Sequence, residues 1–378
     1  MRFLSLIFYA AFALTLLIGE ATAQELKSPN ATAPNPPAAA KQAPASTLEA
    51  EHAGMRAQAV LTSSTQNVVT PASELQMRMA ALSPALAAAS PPVPNLAKTP
   101  AKDLFGAVKE PANLAAKAVG FYAKGCLAGG QPLPIDGPAW QAMRLSRNRN
   151  WGHPTLIRFL ERFAEEAKEK DGWPGLLVGD MSLPRGGPMP FGHASHQVGL
   201  DVDIWYKPMP DHVLSAEERE QIPMESFLLD PGHINPAMWS PDYIKLLRRA
   251  ASYPEVARIF VNPAIKKWLC DNTKDDRKFL RKLTPIGGHD DHFHVRLVCP
   301  PDNPGCQNQA LPGADEGCGK GLDKWIDQLV KAASAPRPAK PASPPKPKPP
   351  LLMSQLPAEC KTVLEAAPRE TRPVTAAK

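Results

Sequence analysis

The sequence of 378 residues lacks three features that would each indicate a class of protein. No uninterrupted apolar run reaches 18 residues, which leaves no internal segment long enough to predict a membrane-spanning helix. No two cysteines have the C-x-x-C spacing, so a cysteine metal site is not indicated. The body of the chain has almost no charge excess, because the eight Lys or Arg and three Glu from Ser334 onward supply five of the six net positive charges. Nucleic-acid binding therefore finds no support.

The amino terminus predicts export. Arg2 precedes an apolar run from Phe3 to Ile18, and Ala21-Thr22-Ala23 has the small-x-small form of a signal-peptidase site. We expect a signal peptide over residues 1–23, a mature chain that begins at Gln24, and no stable insertion in a membrane. The alternative is that the apolar run stays uncleaved as an anchor.

Cysteine usage agrees with export. The six cysteines form an even set, which in an exported protein indicates disulfides. The sequence alone leaves about fifteen pairings open among Cys126, Cys270, Cys299, Cys306, Cys318 and Cys360.

Composition divides the chain into a folded part and two biased extensions. Residues 24–118 are rich in Ala, Pro, Ser and Thr and contain no aromatic residue before Phe105. Such a segment cannot bury enough apolar surface to offset chain entropy, so we expect disorder there. Residues 333–378 form a tail rich in Pro and Lys, which we expect to include an extended spacer. Residues 119–332 have the length of one domain.

Apolar periodicity predicts an α+β domain. Helical spacing predicts a helix from Pro154 to Lys170, the Ser240-Pro241 pair predicts the start of a second, and a third is expected over Ala264–Leu283 with a break near Asp271. Four β-type runs predict strands at Leu176–Val178, Leu200–Tyr206, Arg258–Val261 and Phe293–Val298. We expect an antiparallel sheet flanked by helices, with a metal ion on one face.

Metal-competent side chains are concentrated in three short clusters. These are GHASHQVGLDVD (192–203), DPGH (230–233) and HDDHFH (289–294). Seven of the nine histidines lie between His193 and His294. Neutral imidazole and carboxylate are the ligands of catalytic zinc, which keeps one position open for the water that it activates. The sequence therefore predicts a zinc hydrolase.

Spacing indicates how two of these clusters present their ligands. His196 and Asp203 are seven residues apart, and Gly199 between them permits a left-handed backbone conformation. From residue 200 onward apolar and acidic residues alternate, so Asp203 can face a cleft while its neighbours enter a core. His292 and His294 are two apart in a β-type run, which places both imidazoles on one face. One of them can bind metal while the other handles protons.

Three segments carry a resemblance to a known family. The runs GDMSLPRGGPMPFGHASHQVGLDVDIW, RIFVNPAIKKWLC and HDDHFHVRLVCP together resemble the penicillin-insensitive murein endopeptidase family. That family is similar to a wider group of zinc peptidases, which includes lysostaphin-type enzymes, D-alanyl-D-alanine peptidases and the hedgehog signalling domain. The resemblance extends from about Gly120 to Asp323 and resumes near Cys360. It implies the disulfides Cys126–Cys360, Cys270–Cys318 and Cys299–Cys306.

The resemblance also implies roles for individual residues. Matched by position, His196, Asp203 and His294 would hold the catalytic zinc, and His193 would be a further metal contact. His292 would handle protons beside the metal. The substrate implied is peptidoglycan in the periplasm, cut at the cross-link between D-alanine and meso-diaminopimelate.

A second metal ion is also implied. Asp230 and His233 match a pair that can hold it, and His289 would be an auxiliary residue that lines the cleft. The sequence departs from the best-known member of the family at Asp290-Asp291 and in the Pro231-Gly232 spacer. The departures leave the first zinc site unchanged.

Several of these residues also have structural interpretations. Asp201 fits either an ordinary solvated strand carboxylate or a hydrogen-bond partner of a ligand histidine. The DPGH run fits a turn as well as a metal site. His153, before Pro154, fits a helix start, and Arg185 fits either a clamp for a substrate carboxylate or an exposed loop arginine.

The predicted mechanism is metal-assisted amide hydrolysis. Because no serine acyl-enzyme forms, β-lactams should be poor inhibitors and chelators good ones. Three alternatives remain: a D,D-carboxypeptidase on the same zinc site, another envelope peptidase, and a non-catalytic zinc-stabilised peptidoglycan-binding module. The sequence does not indicate an oligomeric state.

Overall fold

The computed structural model of the chain describes residues 95–335 and 349–369. The expected signal peptide and most of the Ala/Pro-rich extension lie outside these residues, as does most of the Pro/Lys-rich spacer. Among the helices of the described part, none is both long and apolar enough to cross a membrane.

The described residues form seven α-helices and three short 3₁₀ turns. The α-helices are α1 Ala101–Ala107, α2 Pro154–Asp171, α3 Ala216–Gln221, α4 Asp242–Ser252, α5 Pro263–Asn272, α6 Lys320–Ser334 and α7 Glu359–Glu365. The 3₁₀ turns are Leu145–Arg147, Arg277–Lys282 and Met353–Gln355.

Fourteen short strands in the described residues make up four sheets. They are β1 Lys117–Phe121, β2 Lys124–Ala128, β3 Gln131–Pro132, β4 Asp136–Gly137, β5 Trp140–Ala142, β6 Trp151–Gly152, β7 Leu176–Val178, β8 Asp201–Trp205, β9 Leu228–Asp230, β10 His233–Ile234, β11 Val256–Val261, β12 Leu283–Pro285, β13 His292–Leu297 and β14 Cys306–Gln307. The largest sheet has seven strands in the order β12-β11-β13-β8-β7-β5-β4. The smaller sheets are β14-β1-β2, β3-β6 and β9-β10.

The apolar core lies against one face of the seven-stranded sheet. Val202 and Ile204 of β8 and Phe293 and Val295 of β13 are fully buried, and they share one core cluster with apolar residues of α2 and α4. Each such side chain contributes about 1.5–3 kcal/mol relative to an exposed position. Because side chains alternate along a strand, burial of this set turns the residues between them to the opposite face.

The α+β class and the main elements are confirmed. The helix predicted from Pro154 is α2, and the four predicted strands are β7, β8, β11 and β13 within a few residues of their expected bounds. The sheet is mixed rather than wholly antiparallel, because β5 pairs with β7 and β11 with β12 in parallel. Each parallel pair is joined by a crossover that contains a helix, α2 or α5, as parallel neighbours require.

The folded region begins before residue 118, which corrects the expected extent of the disordered extension. Helix α1 buries Ala101, Leu104 and Phe105. Phe105 belongs to a second apolar cluster that includes Val119 of β1 and Val363 of α7. Phe105, the one aromatic residue of residues 24–118, therefore packs in an apolar cluster. The composition averaged over the whole segment did not indicate this contact.

All three disulfides implied by the family resemblance are present, namely Cys126–Cys360, Cys270–Cys318 and Cys299–Cys306. The first joins β2 to α7 across 234 residues of sequence. In the chain-entropy account, closing so long a loop stabilises the fold by about 4–5 kcal/mol as an upper value. The tail is thereby held against the domain.

Arg185 also holds the tail, which corrects both interpretations offered for it. It is only 4% exposed, so it is neither an exposed loop arginine nor free to bind substrate. Its guanidinium donates to the carbonyl oxygens of Val363, Leu364 and Ala366, at 2.7–3.0 Å. These carbonyls belong to the end of α7, where a helix leaves acceptors without partners.

We predict that Arg185→Met lowers the free energy of unfolding by about 2–4 kcal/mol, because buried carbonyls lose a charged donor. Denaturant unfolding measures this, with the exposed Arg281→Met as the matched control. The KM of the folded variant should not change. A raised KM with unchanged stability would restore the substrate-clamp interpretation.

His153 caps helix α2, as one interpretation of the sequence expected. Its Nδ1 accepts a hydrogen bond from the Thr155 backbone nitrogen at 3.2 Å, and Pro154 occupies the first helical position. Burial, with Arg158 nearby, lowers the pKa of His153 to about 4. The capping nitrogen must be unprotonated to accept, so burial and capping favour the same neutral form.

This cap predicts a pH-dependent stability. The pKa of His153 is lower in the folded chain than in the unfolded chain, where it is about 6.5, so protonation favours unfolding. Its contribution is complete above pH 6.5 and is lost as the pH falls toward 4, by an amount on the order of 3 kcal/mol. Asparagine retains a capping acceptor that does not titrate. The stability difference between wild type and His153→Asn should therefore change between pH 7 and pH 4, and parallel curves would contradict the assignment.

Candidate metal centre

The pairing of β8 with β13 creates the site. The two strands are antiparallel, with His294 opposite Asp203 and Arg296 opposite Asp201. Directly opposed residues of an antiparallel pair point to the same face. The register therefore places two carboxylates, an imidazole and a guanidinium on the sheet face away from the apolar core.

The loop before β8 brings His196 to this face. Gly199 has a φ of 70°, and a Cβ built there would lie 2.7 Å from Leu127 and 2.8 Å from the His153 backbone nitrogen. The expected role of this glycine in a left-handed conformation is confirmed. His196 itself has a φ of 67°, which is uncommon for a residue with a Cβ, and its backbone nitrogen donates to Asp201 Oδ2 at 3.0 Å. The strand carboxylate thus helps to fix the strained loop.

Asp203 is the centre of the cluster. Its Oδ1 lies 3.4 Å from His196 Nε2, 3.5 Å from His294 Nδ1 and 3.7 Å from His292 Nε2. Its Oδ2 lies 3.5 Å from His193 Nδ1. Four of the histidines named from the sequence therefore surround one buried carboxylate.

Hydrogen bonds to the far side of each ring fix which nitrogen can bind a cation. His196 Nδ1 donates to the carbonyl of Met181 at 2.6 Å, and His294 Nε2 donates to Asp201 Oδ1 at 3.0 Å. Neither acceptor carries a hydrogen, so the proton of each neutral ring lies on that nitrogen. The lone pairs of His196 Nε2 and His294 Nδ1 then face Asp203. Such outer hydrogen bonds are the usual means of orienting histidine ligands.

His193 is oriented in the same way by a residue that the sequence analysis missed. His193 Nε2 donates to Asp180 Oδ2 at 2.9 Å, and Arg147 and Arg149 donate to the same oxygen at 3.0 and 2.8 Å. Burial raises the pKa of Asp180, but these donors outweigh it and hold the pKa at about 2. The sequence signal that could have found Asp180 is its place two residues after the predicted strand Leu176–Val178, which lies next to β8 in the sheet.

Electrostatics divide the cluster into charged and neutral groups. Burial raises the pKa of Asp203, but His196 and His292 nearby hold it well below its usual range. Burial lowers the pKa of His294 to about 4, although Asp201 opposes the change. His292 is also affected by burial, but Asp203 and Asp291 raise its pKa above the ordinary value. An anionic carboxylate and a neutral imidazole therefore lie in one cluster with a third group, His292, whose pKa is raised.

A small cavity of about 120 Å³ opens beside the cluster. Its walls include His193, Asp203 and His292 of the cluster, together with Arg147 and Trp205. A group that enters the cavity therefore meets the cluster and the Arg147 side chain together.

The structure keeps the predicted second-metal pair apart from this cluster. Asp230 and His233 lie on the separate β9-β10 hairpin and are exposed. His233 Nδ1 contacts Asp230 Oδ1 at 2.8 Å, and the same oxygen accepts from the Gly232 backbone nitrogen at 2.8 Å. This is the bonding of an Asx turn, which was the structural alternative for the DPGH run.

His289 and Asp201, which were also named from the sequence, lie next to the cluster around Asp203. The His289 ring is centred 4.8 Å from that of His292 and 6.0 Å from that of His294, at the edge of the cluster. Asp201 is fully buried and bonded to His294 and Arg296, so the solvated-carboxylate interpretation is wrong and the interpretation as a partner of the histidine is confirmed.

The donor set fits a divalent cation. His193, His196 and Asp203 each offer one atom within 4.8 Å of the others. His196 Nε2 and Asp203 Oδ1 are buried without a hydrogen-bond partner among the described residues, which a bound cation would satisfy. The fold and the site together define the class of this protein. It is an α+β domain with a candidate metal centre of histidines and a carboxylate on one face of its sheet.

Comparison with known proteins gives the family. Residues 118–365 match the family described as penicillin-insensitive murein endopeptidase. A relative of that name from Haemophilus influenzae is 41% identical over 235 residues, which is 61% of this chain and 80% of the relative. Another from Klebsiella pneumoniae is 39% identical over 253 residues, covering 67% and 90% of the two chains. The chain belongs to the penicillin-insensitive murein endopeptidase family, as the resemblance implied, and this is a family of peptide hydrolases.

We predict that Asp201→Asn destabilises the domain by about 3–5 kcal/mol, because it leaves the buried Arg296 guanidinium without its charged partner. Unfolding by denaturant in the presence of a chelator measures this effect separately from metal binding. Asp211→Asn, at a fully exposed carboxylate, is the matched control. Equal stability of the two variants would show that Asp201 is not a structural anchor of the site.

Proposed function

We propose that this protein is a zinc-dependent murein endopeptidase of the periplasm that hydrolyses the cross-link between D-alanine and meso-diaminopimelate in peptidoglycan. The observation that carries the proposal is the cluster around Asp203 in a chain of the murein endopeptidase family. The relatives are named for this activity and are described as insensitive to penicillin. The amino-terminal signal predicted over residues 1–23 supports the proposed compartment.

His196, Asp203 and His294 would hold the zinc, with His193 as a further contact. His196 Nε2, Asp203 Oδ1 and His294 Nδ1 face one another. The other ring nitrogen of each histidine donates to a protein acceptor, which fixes the orientation of the ring. When bound, zinc supplies Lewis acidity, which lowers the pKa of a water molecule and polarises the scissile carbonyl.

The remaining chemistry belongs to the side chains around the metal site. His292 Nε2 faces Asp203 Oδ1 at 3.7 Å, and an imidazole is the side chain whose ordinary pKa allows it both to accept and to donate a proton near neutral pH. In that position it can take a proton from the attacking water and give one to the leaving amine. His289 would line the cleft beside it, and Arg147 contributes positive charge to the same cavity. The substrate of this family carries free carboxylates, which a guanidinium such as that of Arg147 can bind.

We predict different consequences for ligand and proton-handling residues. His196→Ala and Asp203→Ala should lose both bound zinc and turnover, because each removes a donor from the buried cluster. His292→Ala should retain zinc and lose about 10²–10⁴-fold in kcat, the usual contribution of acid–base catalysis. Metal content by atomic spectroscopy and turnover of cross-linked muropeptides measure the two effects. Loss of zinc in His292→Ala would mean that base and ligand are exchanged.

The exposed histidines provide controls and test the metal count. His212→Ala should leave both zinc and turnover unchanged, since this ring lies outside the cluster and is exposed. His233→Ala should also retain its zinc if one ion is bound. A fall from two ions to one in this variant would assign Asp230 and His233 to a second metal.

The reaction itself is tested on purified sacculi, with mass analysis of the released muropeptides. The proposal expects cross-linked dimers to be converted to monomers, with inhibition by a chelator and none by a β-lactam. Release of terminal D-alanine from uncross-linked peptides alone would instead indicate a D,D-carboxypeptidase. Binding of sacculi without any cleavage would indicate a non-catalytic module.

A further inference from the structure

Asp291 has a contact with His292 that the proposed function leaves unused. Asp291 Oδ1 accepts a hydrogen bond from His292 Nδ1 at 2.5 Å, and both side chains line the cavity beside Asp203. Their side chains are 27% and 17% exposed, so the pair lies at the wall of the cleft rather than in bulk solvent. The contact uses the ring nitrogen that points away from the metal cluster.

The backbone around Asp291 is fixed independently of this contact. The carbonyl of Asp291 accepts from the Tyr206 backbone nitrogen at 3.1 Å, and that of Asp290 accepts from the Phe227 backbone nitrogen at 2.7 Å. Tyr206 and Phe227 are buried in the aromatic core. The backbone that carries the Asp291 carboxylate is therefore held in place by the end of β8 and by the core.

The turn into β13 makes the contact possible. Neighbouring residues within a strand point to opposite faces, so two adjacent side chains there cannot bond to each other. Strand β13 begins at His292, and Gly288 and His289 have φ values of 71° and 58° in the turn that precedes it. Asp291 thus belongs to the turn, and its carboxylate can bend back to the ring that follows.

We propose that Asp291 is a positioning residue that acts through His292. Its carboxylate holds the proton of His292 on Nδ1, so that the ring is fixed with Nε2 toward Asp203 and the substrate. The inference rests on the proposed function, because it assigns His292 the same proton-handling role. A carboxylate that orients a catalytic imidazole in this way is a known arrangement in enzymes of other folds.

Asp290 provides an unusually close control for the test. It is the neighbouring residue, carries the same charge, and contacts Phe227 through its backbone carbonyl, which a side-chain substitution leaves in place. Loss of charge near the cleft is then common to Asp290→Ala and Asp291→Ala. Only the second removes the acceptor from His292.

The experiment compares kcat, KM and zinc content of the full-length zinc-loaded protein and its Asp290→Ala and Asp291→Ala variants on cross-linked muropeptides. We expect Asp291→Ala to lose about 10–100-fold in kcat, with KM, zinc content and the unfolding transition close to those of the wild type. Asp290→Ala should retain the kcat of the wild type. Equal kcat in the two variants, or loss of zinc in Asp291→Ala, would overturn the proposal.

A double-mutant cycle decides whether Asp291 acts through His292. Once the imidazole is absent, its partner has nothing to orient, so Asp291→Ala/His292→Ala should be no slower than His292→Ala. Effects that multiply would overturn the proposal. If His292→Ala itself keeps full activity, the proposed role of His292 fails. If His292→Ala is impaired and Asp291→Ala is not, only the present inference fails.

Discussion

The candidate site depends on one constraint, the antiparallel register of β8 against β13. This register sets His294 beside Asp203 and Arg296 beside Asp201, on the face opposite the apolar core. A slip of β13 by one residue would turn His294 and Arg296 into the core and bring Phe293 and Val295 out of it. The burial of those apolar side chains therefore fixes the polar geometry. Burial of these apolar side chains thus both stabilises the fold and positions the donor atoms of the candidate metal site.

A concentration of buried ionisable side chains is tolerable only because each carboxylate lies against cationic or imidazole neighbours. Arg296 neutralises Asp201, Arg149 neutralises Asp180, and four histidines surround Asp203. Burial of an isolated carboxylate would cost several kcal/mol, whereas a paired one is offset by charged hydrogen bonds. The outer carboxylates Asp201 and Asp180 each bond to a cation and an imidazole together. They stabilise the domain and orient the histidines in a single arrangement, which explains why support and function are difficult to separate here.

The sequence predicted the local elements and the faces on which individual strand residues lie, because both depend on short-range patterns. Alternation along 200–206 placed Val202 in the core and Asp203 opposite, and the spacing around Gly199 predicted its left-handed turn. Contacts between distant segments left no such periodic signal. Asp180 bonds to His193 thirteen residues away, and Arg185 bonds to carbonyls about 180 residues away. The same limit applies to the two parallel strand pairs of the sheet, which follow from crossovers rather than from any pattern within a strand.

The tail contributes to the site through the strand on which the histidine loop lies. Strand β2 is tied to α7 by the disulfide at Cys126, and the Leu127 backbone nitrogen donates to the Arg185 carbonyl. The loop that carries His196 packs on this strand, where Gln197 accepts through its side chain from the Gly125 backbone nitrogen at 3.1 Å. A left-handed conformation at a histidine is unfavourable, so it persists only where the surroundings determine it. The carboxyl-terminal segment and the loop that carries His196 thus both contact β2. A distant disulfide and a buried arginine thereby help to hold a strained residue of the candidate metal centre.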